Sequence, residues 1–192
     1  GQTRAVDVGQ VNERHFLMWA GVGLDAAVTA SVSSKEKKAL GAWAFVGTGL
    51  DMLRDYKSSL VTLTLDGETR QVDASLIVVS NIQLYGGMVA LGARAQVDDG
   101  KLDVCVFKKE GLLNYAQYVI KVASGQHVHD PQIAYEQARE MVVETARPLP
   151  VHVDDEPCTH TPVTIRVIPQ ALKVILPQDV PGRLFVDGAT RA

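Results

Sequence analysis

Leu60-Val61-Thr62-Leu63-Thr64-Leu65 alternates in the period of a β-strand and runs directly into Asp66-Gly67. That dipeptide admits the positive φ that a two-residue hairpin needs, so the chain must double back antiparallel on itself. A return strand follows through Val72 and the apolar run at 76–79. The same grammar recurs. Residues 3–11, with alternation at Ala5-Val6-Asp7-Val8, and the apolar run 15–20 read as two strands joined by an Asn12-Glu13-Arg14 turn. Strands are expected over 101–107, 133–146 and 149–154, then over 163–167 and 171–176 with a turn at Pro169. Consecutive strands this close pair antiparallel.

The period changes in three places. Asp25 is placed to cap a short helix running through Val28 to Val32, and 33–38 reads as a solvated, charged linker. In 41–55 Trp43, Val46, Leu50 and Leu53 form one helical stripe. In 112–123 Leu112, Ala116, Val119, Ile120 and Ala123 form the apolar side of another helix. With about nine or ten strands, the expected class is mainly β: an antiparallel β-sandwich over residues 3–177, decorated with about three helices. Residues 178–192 read as a mobile tail. Residues 81–100 hold no regular pattern, and a loop of that length inside a compact domain is usually functional or disordered.

Composition removes several functions. The 192 residues are 46% hydrophobic, enough for the core of one domain. A formal net charge of −3 with no basic block leaves no footprint for nucleic acid. No apolar run approaches membrane-spanning length, and no secretory signal is present. Cys105 and Cys158 lack a metal or redox spacing; a disulfide between them stays open, and a reducing compartment is the simpler reading. The chain begins without methionine and reads as strand from its first residues, so the natural protein is expected to start further upstream.

The chemistry concentrates in Val151-His152-Val153-Asp154-Asp155-Glu156-Pro157. If the strand continues through this run, Asp154 and Glu156 share a face, and two carboxylates on one face repel. One is then proton-hungry, or the pair needs a cation. The bland alternative is a solvated acidic turn. Asp98-Asp99-Gly100 offers a second site, a hard cation held by one carboxylate and loop carbonyls, against the same alternative of a plain turn. Gly21-Val22-Gly23-Leu24-Asp25-Ala26 mimics a dinucleotide fingerprint. It lacks the second parallel strand that fingerprint requires, so its glycines are read as permitting a sharp turn or a close backbone approach. His127-Val128-His129 is read as a solvated loop rather than a metal site, although His152 and His160 could come near it.

Four segments in order resemble the C-terminal domain of the soluble bacterial diacylglycerol kinase and lipid kinase family, related to sphingosine and ceramide kinases. Residues 16–26 are similar to its Asn-x-Ala-Gly-x-Gly-x-Asp-Ala segment, and Asn81 with Tyr85-Gly86-Gly87 to its Asn-x-x-x-Tyr-Gly-Gly-Gly segment. Asp98-Asp99-Gly100-Lys101-Leu102-Asp103 matches Asp-Asp-Gly-x-Leu-Asp, and residues 150–157 resemble Pro-x-x-x-Asp-Gly-Glu-Pro. The resemblance implies one half of a two-domain, ATP-dependent enzyme that phosphorylates a lipid hydroxyl, diacylglycerol-like. The nucleotide half, with its Gly-Gly-Asp-Gly-Thr loop, is not in this sequence, so the fragment alone is expected to be inactive.

Carried over by residue, Glu156 is implied as the proton acceptor with Asp154 beside it, and Asp25 as a contact to the lipid head group. Asp99, with the carbonyls of Gln96 and Lys101, is implied to hold a structural Mg²⁺, a second Mg²⁺ accompanying ATP. The implied partners are the lipid, the protein's own N-terminal ATP-binding domain and a membrane surface touched peripherally from the cytoplasm. A homodimer stays open. Asp155 stands where the family has Gly, Met88 where a third Gly is usual, Ser80 where Gly often precedes the Asn, and Met18-Trp19 replaces the pair before Ala20-Gly21. These departures motivate the alternative of a non-catalytic β-sandwich that binds lipid or protein.

Overall fold

The computed structural model describes residues 1–31, 56–85 and 89–186. The helix expected over 41–55, the linker at 33–38, and Gly86, Gly87 and Met88 lie outside the described residues. Within them the chain forms twelve strands in two antiparallel six-stranded sheets. The first sheet is built from β1 (Gln2–Val11), β2 (Arg14–Phe16), β4 (Ser59–Leu65), β5 (Glu68–Ala74), β9 (Glu140–Thr145) and β12 (Val163–Leu176), in the order β2-β1-β12-β9-β4-β5. The second is built from β3 (Trp19–Gly23), β6 (Leu76–Ser80), β7 (Leu102–Phe107), β8 (Ile133–Ala138), β10 (Pro150–Val153) and β11 (Glu156–His160), in the order β11-β10-β3-β6-β7-β8. Among the described residues there are also two helices, α1 (Leu24–Ser31) and α2 (Leu112–Ala123), and two short 3₁₀ turns.

The sandwich follows from period-2 patterning. Val61, Leu63 and Leu65 of β4 face Val11, Val143 and Ile165 within their sheet and Val22, Ile77 and Val104 from the other. Each fully buried aliphatic or phenyl side chain contributes about 1.5–3 kcal/mol relative to exposure. The hairpin at Asp66-Gly67 forms as expected, with φ of 46° and 91°. β7 is buried on both faces: Leu102, Val104 and Val106 enter the sandwich, while Cys105 and Phe107 enter a second cluster beneath α2. The molecule therefore has three layers, sheet on sheet with a helix over the second sheet's outer face.

Several expectations are corrected. The run at 15–20 is not one strand: β2 ends at Phe16 in the first sheet and β3 begins at Trp19 in the second, so Leu17-Met18 is the bend where the chain changes sheets. The segment 133–146 divides into β8 and β9, which belong to different sheets. Pro169 makes no turn; β12 runs 14 residues through it, with a register shift against β1 opposite Asp7. On α2 the inward residues are Tyr115, Tyr118 and Val122, not Leu112, Ala116, Val119, Ile120 and Ala123, which are exposed. The tyrosine rings stack edge-on with Phe107 and each other, and the Tyr118 hydroxyl accepts the Lys109 N–H, so they cover more of the sheet than the aliphatics could.

Nor is the chain free beyond Pro177. Phe185 is buried beneath the Arg4 guanidinium, Leu184 O accepts the Val97 N–H, and the Asp98 carboxylate accepts the Val186 N–H. Residues up to 186 thus form a strap across the loop at 96–99. Apolar burial of one aromatic, invisible to periodicity in so short a segment, holds it there.

Candidate functional site

The acidic triplet is a hairpin, not a strand end. Val153 pairs with Glu156, and the two residues between them have positive φ, 46° at Asp154 and 63° at Asp155. Both central residues in the left-handed region define a type I′ turn, which normally prefers glycine second. Asp tolerates that region better than most side chains. The expected shared face for Asp154 and Glu156 is therefore overturned.

The Asp154 carboxylate folds back onto the sheet-changing bend and accepts the N–H groups of Leu17, Met18 and Trp19 at 2.8, 2.9 and 3.1 Å. Asn81 clamps the same bend from the other side. Its amide donates to the carbonyls of Leu17 and Asp7, and its own N–H to Met18 O. Two of the sequence motifs thus meet at one structural joint. Glu156 takes a different direction: its carboxylate pairs with Arg14 of β2 at 2.7 Å, and its side chain is 71% exposed. An exposed pair of this kind contributes at most about 1 kcal/mol, so Glu156 is close to free of structural duty.

A third motif joins on the outer face of the second sheet. The Asp25 carboxylate, at the start of α1, accepts the Tyr85 hydroxyl at 2.6 Å on Oδ1 and lies 2.6 Å from His152 Nε2 on Oδ2. Gly21 makes this possible by close approach, because a Cβ there would collide with both His152 Nε2 and Asp25 Oδ2. Burial first, then the Asp25 carboxylate, push the Tyr85 hydroxyl far above the ordinary tyrosine range, so it remains a donor. The Asp155 carboxylate adds to this shift, which places the hairpin tip within electrostatic reach of Tyr85. The Tyr85 ring packs on Trp19, centroids 4.7 Å apart. Glu156 and His152 leave opposite faces of the hairpin: Glu156 is registered with the core-facing Val153, His152 with Pro157.

The loop holding Gln96, Asp99 and Lys101 is pinned by Asp7, which pattern reading placed in an ordinary alternating strand. At the register shift in β1 between Val6 and Val8, Asp7 is fully buried and its carboxylate accepts the N–H groups of Gly100 and Gln170 at 2.6 and 2.8 Å. Burial raises the Asp99 carboxyl above the usual range; the Lys101 N–H opposes this, and the neighbouring carboxylates of Asp103 and Asp7 add to it. A half-buried carboxylate with two others in electrostatic reach favours a nearby positive charge, although Asp7 and Asp103 already accept hydrogen bonds from protein donors. No group of three or more His, Cys, Asp or Glu among the described residues could hold a metal ion, so carbonyls and water would complete any such shell.

Other candidates resolve as structure. His127 is fully buried, its Nε2 2.9 Å from Leu91 O and its ring edge-on to Tyr135, so it is a core residue and not part of a solvated loop. Cys105 and Cys158 are both free thiols. The glycines at 21 and 23 begin no dinucleotide fold, since β3 pairs antiparallel with both β6 and β10. An open cavity of about 420 Å³ borders the Asp99 loop, lined by Gln83, Arg94, Gln96 and Arg183 among others.

Against this geometry the comparisons are informative. Residues 19–176 match the family model of the YegS C-terminal NAD kinase beta sandwich-like domain. Among curated proteins, the chain is 30% identical over 156 residues to the diacylglycerol kinase of Bacillus subtilis (strain 168), covering 81% of this chain and 52% of that protein. It is 27% identical over 180 residues to the diacylglycerol kinase of Staphylococcus carnosus (strain TM300), covering 94% and 59%. Among solved structures, that of a candidate diacylglycerol kinase from Bacillus anthracis str. Sterne superposes with a TM-score of 0.65 at 25% identity, covering 90% of this chain and 56% of the other. The chain thus spans between half and three-fifths of the length of these relatives.

Proposed function

Because the chain belongs to the YegS C-terminal NAD kinase beta sandwich-like domain family, we propose that it is the lipid-side half of an ATP-dependent kinase acting on a diacylglycerol-like hydroxyl. The observation that carries this reading is the joining of three separate motifs around β3 and β10 of the second sheet. Asn81 and Asp154 fix the 17–18 bend, and Asp25 sits bonded between Tyr85 and His152 on β3's outer side. The Bacillus subtilis and Staphylococcus carnosus relatives, both diacylglycerol kinases, agree with it.

In this mechanism the lipid hydroxyl loses its proton to the Glu156 carboxylate. Its oxygen bonds to the terminal phosphorus of ATP as the bond from that phosphorus to the departing ADP oxygen breaks. A lipid hydroxyl is a weak nucleophile, and an exposed carboxylate at a hairpin tip can meet it once a second domain closes the cleft. ATP is assigned to the other half of the protein. Asp25 contacts the head group. Asp154 is assigned to holding the hairpin rather than to proton transfer, a revision that its three backbone partners support.

Membrane contact is assigned to α2. Leu113, Val119 and Ile120 are 80%, 66% and 67% exposed there. No acidic residue lies on the helix, and Lys108, Lys109 and Glu110 precede it, Glu110 paired with Lys57. None of the described helices is long and apolar enough to cross a membrane, so contact would be peripheral.

The Asp99 loop would hold a hard cation, Mg²⁺ or Ca²⁺, whose charge offsets the crowding of carboxylates there. Without cation, the Asp99 carboxyl holds its proton more tightly in the folded state than in the unfolded chain. The stability it costs is absent below the unfolded carboxyl range and grows as pH rises through its raised value. Mg²⁺ or Ca²⁺ is therefore expected to raise the thermal midpoint of the wild type at neutral pH and to leave that of Asp99→Asn unmoved. Equal shifts in both proteins would remove Asp99 from the site.

The reading as a whole is tested by incubating the full-length protein with labelled ATP and a panel of diacylglycerol, sphingoid base and phosphatidylglycerol in vesicles. Label is expected in diacylglycerol or a close hydroxyl analogue. Lipid binding with no transfer to any member would favour the non-catalytic module instead.

A further inference from the structure

His152 is the one fully buried side chain at the site whose chemistry the mechanism above leaves unused. Its strand neighbours Val151 and Val153 face the sandwich interior, so the imidazole faces the outer side, across from Gly21 on β3. There the missing Gly21 side chain leaves room for the ring and for Asp25 together. Nε2 lies 2.6 Å from Asp25 Oδ2, while Nδ1 has no hydrogen-bond partner among the described residues. A buried ring nitrogen left unpaired is an expense that an apolar side chain of similar size would avoid. The histidine therefore serves its single polar contact, the one to Asp25.

That contact completes a two-sided grip. Tyr85 donates to Oδ1 and His152 to Oδ2, so the plane of the Asp25 carboxylate is set by two donors on different elements. The Asp25 side chain remains 19% exposed, which leaves acceptor capacity for a further donor from outside.

We propose that His152 is a positioning residue for lipid recognition: with Tyr85 it fixes the Asp25 carboxylate so that a free lone pair receives the lipid's single hydroxyl as it docks, before the proton passes to Glu156. This rests on the reading of Asp25 as the head-group contact. It assigns His152 an effect on lipid binding exerted wholly through Asp25.

The experiment is a double-mutant cycle in the full-length protein, with dioleoylglycerol in phosphatidylcholine vesicles, which carry no free hydroxyl, as the varied substrate. His152→Leu is expected to raise the lipid KM about tenfold while leaving the KM for ATP unchanged. His152→Gln, whose amide nitrogen can stand where Nε2 lies, is expected to recover most of the loss. In the Asp25→Asn background, His152→Leu is expected to add no further loss. Losses that multiply in the double variant, or a silent His152→Leu beside an impaired Asp25→Asn, would make His152 a packing residue and overturn the inference alone. An Asp25→Asn protein with unchanged lipid KM would remove the reading of Asp25 and this inference with it. If His152→Leu does not fold, His152→Asn, whose amide reaches only the Nδ1 position, carries the same contrast with His152→Gln.

Discussion

In the full-length protein, Glu156→Gln is expected to lower ATP-dependent lipid phosphorylation by about 10²–10⁴-fold, the usual range for losing a positioned general base, with little change in the thermal midpoint. Both halves of that expectation come from where the side chain stands. Its structural engagement is an exposed ion pair with Arg14, worth at most about 1 kcal/mol. Glutamine keeps the size and can still accept from the guanidinium. It cannot take the hydroxyl proton. Turnover of Glu156→Gln within a few-fold of wild type would remove Glu156 from the chemistry.

Two residues away, Asp154→Ala is expected to have the opposite profile, a loss of about 2–4 kcal/mol in unfolding free energy, because three N–H groups lose one charged acceptor. These groups lie where the chain passes from the first sheet to the second. Alanine also tolerates the positive φ at this position less well than Asp. Denaturant unfolding of the full-length variant checks this. A change under about 0.5 kcal/mol, the range of ordinary surface substitutions, would show that the carboxylate does not hold the bend. Activity should fall only as the folded fraction falls.

The contrast between these neighbours shows what pattern reading could reach. Strand alternation at 60–65 and the Asp66-Gly67 turn were legible because buried and exposed residues and turn chemistry agree there. The acidic hairpin was legible only as the bland alternative of a solvated turn. Asp155 occupies the position where glycine would have announced a turn, so a period of two carried Asp154 and Glu156 onto one face. On α2, hydrophobicity alone favoured the aliphatic side, yet the larger tyrosine rings with a polar tip won the sheet. Asp7 looked like any polar residue of an alternating strand, and its burial rests on N–H donors from positions 93 and 163 residues away that no local pattern announces.

Site residues were found unevenly for a related reason. Asp25, Asp99, Asp154 and Glu156 carry charge inside recognisable motifs. Tyr85 was seen in its motif, but its bond to Asp25 joins positions 60 residues apart, and that from His152 to Asp25 positions 127 apart. The only local sign of that union is Gly21, whose missing side chain marks a close approach without saying of what. His152 consequently stood among the histidines considered for metal.

The division of labour within one hairpin, Asp154 building and Glu156 reacting, is tested most directly by a single comparison in the full-length protein. Phosphate transfer from labelled ATP to dioleoylglycerol is measured for Glu156→Gln and Asp154→Ala, each normalised to its folded fraction at the assay temperature. The expected result is a rate per folded molecule that collapses in Glu156→Gln and stays near wild type in Asp154→Ala. A normal rate in Glu156→Gln, or a collapse per folded molecule confined to Asp154→Ala, would contradict it.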